Sequence, residues 1–324
     1  MKYLTLKNFL LILSIIFIIF FAFIKVSAQQ EEIPWKFPFD KVQNIVNKVR
    51  AGKDLNPKYW PNGAKVAVAL SFDFDTETIA LRDNRTSPSL LSQGEYGART
   101  GIYRILNLLD KYGIPVSFFI PAISAKLHPT EIKAIMNKKR HEIGMHGWIH
   151  ERNSLLSEED EREVMKKAYE TLKEITGKAP SGIRTPSWDF SPSTLKIIME
   201  LGLIYDSSLM ADDKPYEILY EGKSSGIVEI PVEWILDDYP YFGMDRFSPI
   251  RPHSTPDDVL SIWKGEFAKA YDEGITFVLT MHPQIIGHRS RILMLEKLIQ
   301  YIISFQNVWF ATHETIANYV RSGR

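Results

Sequence analysis

Apolar positions follow two alternating rhythms along this chain. Short runs, apolar at nearly every position, cover Val66 to Asp73, Val116 to Ile120 and Glu142 to His146, and between them Thr100 to Tyr112 and Thr130 to Lys139 space their apolar residues three and four apart. The first rhythm marks strands buried on both faces, the second helices with one face inward. Further strands are predicted over Gly182 to Thr185, Ile227 to Val232, Thr276 to Met281 and Val308 to Thr312. Strands alternating with helices predict a parallel α/β sheet, and about seven or eight βα units at this length predict a barrel.

The helix ends are punctuated. Ser157 with Asp160 three residues on resembles a capping box, and Gly177 stands where a left-handed terminus belongs. Ser191-Pro192 and Thr255-Pro256 repeat a cap-then-proline start, closed by Gly202 and Gly274. Ile102, Leu106, Leu109, Leu172 and Ile175 are the expected inward positions.

Before residue 60 the pattern changes. Val42, Ile45, Val46 and Val49 share a face behind Asp40 as the candidate cap, so residues 29–59 read as a polar arm with one short helix and residues 60–324 as the main domain. Lys2 and Lys7 precede an apolar run from Phe9 to Ile24, and Val26-Ser-Ala28 supplies small residues for a signal peptidase. Residues 1–28 are therefore predicted to be an export signal cleaved after Ala28, which makes the chain secreted, periplasmic or cell-surface. The alternative is an uncleaved membrane anchor over residues 9–24.

With 45% apolar and 24% charged residues the chain falls in the ordinary globular range. Its 39 Lys and Arg balance 39 Asp and Glu, so no overall field draws it to nucleic acid. It has no cysteine, so an exported form relies on its core rather than on disulfides.

Parallel barrels carry their chemistry at the carboxyl ends of the strands, and Asp73, Asp75, His146, Arg184 and His282 all fall at such ends. The strand period of two puts Asp73 and Asp75 on one side, where one can bind a metal and the other act as a base. Without a cation or an arginine such as Arg184 between them the two carboxylates repel. An Asp-x-Asp is equally what a turn that caps backbone N–H groups looks like. His146-Gly-Trp-Ile-His150 sets two imidazoles four apart, one helical turn, so that both rings can converge on one ion; a lone pair at this spacing is more often a satisfied surface pair. His141 precedes its strand and belongs to the opposite end. His282, between Met281 and Pro283, is a candidate general acid. Trp188, Trp234, Tyr239, Tyr241 and Phe242 are candidate sugar-stacking rings, with core packing as the other reading.

Taken together, Ser71-Phe-Asp-Phe-Asp75, His146-Gly-Trp-Ile-His150, Arg184-Thr-Pro-Ser-Trp188, Asp206-Ser-Ser208 and Leu279-Thr-Met-His282 resemble, in order, the five motifs of the polysaccharide deacetylases that share a NodB homology domain. The resemblance covers roughly residues 60–320. Phe74 separates two aspartates that the commonest family pattern has adjacent, a spacing similar to a subgroup of peptidoglycan-deacetylase-like and cofactor-independent allantoinase-like proteins. The resemblance implies a distorted (β/α) barrel of about seven units. It further implies one divalent ion, Zn²⁺ by default, on Asp75, His146 and His150, with Asp73 as base, Arg184 holding Asp73 ionised and oriented, His282 as acid and Asp206 orienting His282. The implied activity is removal of N-acetyl groups from a glycan such as peptidoglycan or chitin oligomers. A C–N hydrolase of a small or cyclic amide and a non-catalytic glycan binder are the alternatives, and a membrane is a partner only if the N-terminal segment stays uncleaved.

Overall fold

The computed structural model describes residues 33–244 and 254–323. The segment expected to be an export signal or anchor lies outside them, and among the described residues no helix is long and apolar enough to cross a membrane. The chain divides into two compact units, residues 1–47 and 48–324.

In the first unit a helix covers Phe39–Val46. Asp40 is not its cap: Pro38, with φ fixed at −62°, takes that position, and Asp40 falls in the first turn, where its charge still complements the positive helix end. Val42, Ile45 and Val46 are exposed on it.

The second unit is built on one sheet of ten strands: β1 (Val49–Asp54), β2 (Val66–Asp73), β3 (Ser117–Ile120), β4 (Glu142–Met145), β5 (Gly182–Ile183), β6 (Tyr205–Asp206), β7 (Tyr216–Tyr220), β8 (Lys223–Glu229), β9 (Thr276–Met281) and β10 (Val308–Phe310). Every residue of β2 and of β9 is buried, as expected of strands covered on both faces. From β2 through β3, β4, β5 and β6 to β8 all pairings are parallel, and β9 pairs with β2 from the other direction. Among the described residues the only strand pairing between β8 and β9 is a single bridge, Asp237 to Thr280, so the barrel closes there through one contact rather than a ladder. Val68 pairs with Phe277 of β9 and Phe310 of β10, while Ser71 pairs with Thr280 of β9 and Ser117 of β3. Thus β10 and β3 share one edge of β2 at different heights, which distorts the barrel further.

β1 and β7 depart from the predicted alternation. β7 and β8 form an antiparallel hairpin, and β1 adds antiparallel to β7 as an edge. The hairpin turns on Glu221 and Gly222, both at positive φ (50° and 75°), a geometry that Glu-Gly advertises less clearly than Asn-Gly. β8 consequently begins earlier than the predicted strand, and Val49 opens β1 instead of extending the helical face.

The predicted caps hold at Ser157 and Thr255, whose hydroxyls accept from the amides of Asp160 and Asp258, and at Gly177 and Gly274, which close those helices in the left-handed region. The helix after Ser191 starts later, at Thr194, because Ser191 Oγ accepts the amides of both Ser193 and Thr194 and so holds Pro192 and Ser193 in a turn. Two glycines fix the layer beneath the chemistry. A Cβ on Gly94 would lie 2.2 Å from the carbonyl oxygen of Thr76, and one on Gly101 2.1 Å from that of Pro283. Both contacts press helical segments against the residues that follow Asp75 and His282.

Candidate metal centre

Asp73 ends β2 and Asp75 lies two residues on, so both carboxylates point to one side while Phe74, fully buried, enters the apolar core on the other. Past Asp75 the chain turns at once, Thr76 taking φ 53°. The carbonyl oxygen of Asp75 accepts from Thr78 Oγ1 at 2.5 Å and from Ser124 Oγ at 2.6 Å, which clamps its backbone. Its carboxylate oxygens, although buried, have no hydrogen-bond partner at all.

Three imidazoles face that carboxylate: His146 Nε2 at 3.3 Å, His282 Nε2 at 3.6 Å and His150 Nε2 at 3.7 Å. Burial pushes the Asp75 carboxyl up, but His150, His146 and His282 outweigh it and hold the group below the usual carboxylate range. Asp75, His146 and His150 can each supply one ligand atom, all within 4.8 Å of one another. A buried carboxylate with no donor, opposite nitrogens of two rings, is the donor set a divalent ion completes.

The two histidines converge through a loop, not through the helical turn their spacing suggests. Gly147 and His150 take φ 72° and 65°, and Glu151 stitches the loop by accepting the amides of Trp148 and Ile149 at 2.7 to 3.0 Å. A non-glycine residue in the left-handed region is strained, and Thr76, His150, Ser187 and Trp188 all hold that conformation around this site. His146 Nδ1 donates to the carbonyl oxygen of Arg184 at 2.6 Å, leaving Nε2 bare toward Asp75 when the ring is neutral. His150 Nδ1 instead meets Arg82 Nη1 at 2.6 Å. Burial, foremost, pulls the His150 pKa down to about 3.

Arg184 is fully buried and all five of its N–H groups have acceptors. Nη1 donates to Asp73 Oδ1 and Ser71 Oγ, both at 2.8 Å; Nε and Nη2 reach the carbonyl and hydroxyl of Ser207 at 3.1 Å; and Nη2 meets His313 Nε2 at 3.4 Å. Phe119 packs against the guanidinium face at 4.3 Å. Burial and then the Arg184 charge hold His313 well below its ordinary pKa, so it accepts here as a neutral ring. Asp73 thus has one oxygen committed to Arg184 and the other 3.7 Å from His146 Nε2.

His282 follows β9, and its partner is Asp238, not Asp206. Nδ1 lies 2.7 Å from Asp238 Oδ1, the His282 amide donates to Asp238 Oδ2 at 3.0 Å, and Asp237 Oδ1 stands 3.6 Å away. Burial lowers the ring's pKa, but the two carboxylates override it and hold His282 well above its ordinary value. Asp206 is turned toward β8: its oxygens accept from the amide and hydroxyl of Ser208, both at 2.9 Å, beside the buried Glu229. Burial, against the relief of those hydrogen bonds, raises Asp206 to about 6. No hydrogen bond or ion pair joins Asp206 to His282 among the described residues. β6 lies next to β5 and β8, while the loop bridging toward Thr280 carries Asp237 and Asp238 to His282.

Sequence reasoning missed Asp238 and His313, although Asp238 directly follows the bridge at Asp237 and His313 opens the helix that comes three residues after the end of β10. His141 lies, as expected, at the other end, where its Nδ1 accepts from the Val116 amide at 3.3 Å. The site opens into a cavity of about 260 Å³ lined by Trp188, Trp234 and Tyr239 among others, the two indoles 4.1 Å apart between ring centroids. Tyr241 and Phe242 do not line it: Tyr241 donates to the carbonyl oxygen of Ile235, and Phe242 is buried.

Residues 82–205 match the family profile described as polysaccharide deacetylase. A peptidoglycan deacetylase of Helicobacter pylori is 30% identical over 78% of this chain and 96% of its own length. Among solved structures, one from Mycobacterium smegmatis, described as a putative polysaccharide deacetylase, superposes with a TM-score of 0.77 at 34% identity, covering 85% of this chain and 96% of its own. An allantoinase structure superposes with a TM-score of 0.71 at 28% identity, covering 84% of this chain and 94% of its own.

Proposed function

Because the chain belongs to the polysaccharide deacetylase family, we propose that it is a metal-dependent hydrolase that removes N-acetyl groups from a glycan such as peptidoglycan or chitin oligomers. The observation that carries this reading is the buried Asp75 carboxylate, which lacks any donor while His146 and His150 nitrogens stand 3.3 and 3.7 Å away. These three residues would hold the ion, with Zn²⁺ the first candidate for a site of two nitrogens and a carboxylate. When bound, a divalent ion supplies Lewis-acid polarisation of the amide carbonyl and eases the ionisation of water.

The chain's own groups divide the proton work. Asp73, oriented by the Arg184 guanidinium at 2.8 Å, takes a proton from the attacking water. His282, kept cationic by Asp238 and Asp237, gives one to the departing amine nitrogen, so acetate and a free amino sugar leave. Trp188 and Trp234 offer apolar ring faces to the sugar. A cell-wall substrate accords with residues 1–28 acting as an export signal, with an anchor over residues 9–24 as the other form of the same placement.

Acetate release by the metal-loaded protein from peptidoglycan and chitin oligomers is the test. Release that chelation abolishes and Zn²⁺ restores is the expected result; no acetate from either polymer, with turnover of another amide, overturns the glycan assignment. A second reading, hydrolysis of a cyclic amide, is favoured by Phe74 between the two aspartates and by the likeness to an allantoinase at 28% identity. A ring-opening assay separates the two.

A further inference from the structure

Beside the metal centre lies a second and larger cavity, of about 430 Å³, and Ile79 and Tyr239 line both. Among the described residues two arginines, Arg85 and Arg291, contribute to its wall and no carboxylate does. Arg291 is half-buried, its guanidinium 5.5 Å above the Phe242 ring, and no carboxylate forms an ion pair with it among the described residues. The acidic group whose field it feels is Asp238, whose two oxygens are already taken by His282. Gln284 is 7% exposed, yet neither its Oε1 nor its Nε2 has a hydrogen-bond partner. It sits on the one-turn helix Pro283–Ile286, where Gly97 leaves room for it: a Cβ there would come within 3.2 Å of Gln284 Oε1. A buried amide with both ends unused is rare unless a ligand or water completes it.

These features specify complementary chemistry. A half-desolvated guanidinium calls for a carboxylate, and the two ends of a carboxamide are best matched by another amide, which donates to Oε1 and accepts from Nε2. His288, stacked on Tyr96 at 3.9 Å, adds a neutral ring to the same wall, since burial and the charges of Arg291, Arg104 and Arg289 depress its pKa to about 4. A neutral sugar polymer has no group that requires Arg291.

We propose that the second cavity is a subsite for a carboxylate-bearing amide, such as the amino-acid substituent of a peptide-bearing glycan, and that Arg291 and Gln284 recognise it. The proposal rests on the N-acetyl hydrolase reading above and turns its broad substrate class toward the peptide-substituted members.

Binding of N-acetylalanine and of its neutral amide to the metal-loaded full chain, followed by calorimetry, tests it apart from turnover. The wild-type protein should prefer N-acetylalanine by roughly tenfold, the scale of one charge-assisted hydrogen bond. Arg291→Met should erase that preference, Arg291→Lys should keep part of it, and Gln284→Met should weaken both probes. Acetate, which can reach the metal but cannot span the subsite, should bind wild type and Arg291→Met alike. An unchanged preference in Arg291→Met, or a parallel loss of acetate binding, would overturn the proposal. Acetate release from uncharged chitin oligomers reports separately on the hydrolase reading, so either can fail while the other stands.

Discussion

Arg82 and His150 meet through a 2.6 Å contact between a guanidinium nitrogen and ring Nδ1, and this sets a condition on metal binding. Arginine only donates, so Nδ1 accepts, and in the neutral ring the proton sits on Nε2, the atom that faces Asp75 Oδ2 at 3.7 Å. An ion needs Nε2 bare. A bound ion would therefore require the proton on Nδ1 and Arg82 turned toward its other acceptors, Ser187 Oγ at 2.7 Å and the His150 carbonyl oxygen. Arg82→Met is expected to bind a divalent ion about tenfold more tightly, the size of one charge-assisted contact removed. Chelator competition measures this, and equal or weaker binding in the variant would contradict the opposition described.

The two aspartates of β2 and its exit are predicted to separate by assay. Asp73 has Oδ1 engaged by Arg184, whereas both oxygens of Asp75 are without donors. Asp73→Asn should retain one ion per chain while kcat falls by roughly 10²- to 10⁴-fold, the usual range for a general base. His146→Ala should lower metal stoichiometry, measured by elemental analysis. Loss of the ion from Asp73→Asn would instead make Asp73 a ligand, since its second oxygen is 3.7 Å from His146 Nε2.

That much of the site was legible because β2 is a largely apolar eight-residue strand whose period carries through to Asp75, and because strand ends cluster in a parallel barrel. His146, Arg184 and His282 each directly follow a strand, as the same rule expects. The orienting role that the resemblance implies for Asp206 is not met, because ending a strand does not decide which neighbour a side chain meets. Asp238 was hidden since the β8-to-β9 closure is one bridge at Asp237, with no periodic segment to announce it. The backbone that brings His150 round is likewise unreadable: a histidine at φ 65° goes against local preference and is held by Glu151 and by the packing around it.

The pairing of His282 with Asp238 predicts a shift in pH dependence. His282 is held above its ordinary pKa against burial, so the proton it donates is present at neutral pH and is lost as pH rises through the folded value. The stability this group contributes has the same sign: full below about 6.5, lost as pH climbs past the raised pKa. Asp238→Asn removes the carboxylate at 2.7 Å and leaves Asp237 at 3.6 Å. The alkaline limb of kcat/KM should therefore move down by about one pH unit or more. An unmoved limb, with metal content intact, would take His282 out of the role of acid.

At the opposite end of the barrel, His141 predicts an acid sensitivity independent of the metal. Its Nδ1 accepts from the Val116 amide, its Nε2 is buried without a partner, and Phe118 packs edge-on to the ring at 5.5 Å. Burial first, then the charges of Arg140 and Lys138, lower its pKa to about 4 from the ordinary 6.5. The unfolded chain therefore binds a proton that the folded chain refuses between those values. The neutral ring's contribution is complete above about 6.5 and is lost as pH falls toward 4. Asn at this position can still accept from Val116 but does not titrate. Urea unfolding at pH 7 and pH 5 should accordingly show the wild-type midpoint falling further than that of His141→Asn. Equal falls in both proteins would mean that the acid-labile group lies elsewhere, since the substitution removes the one ionisation that this end of β4 presents to the Val116 amide.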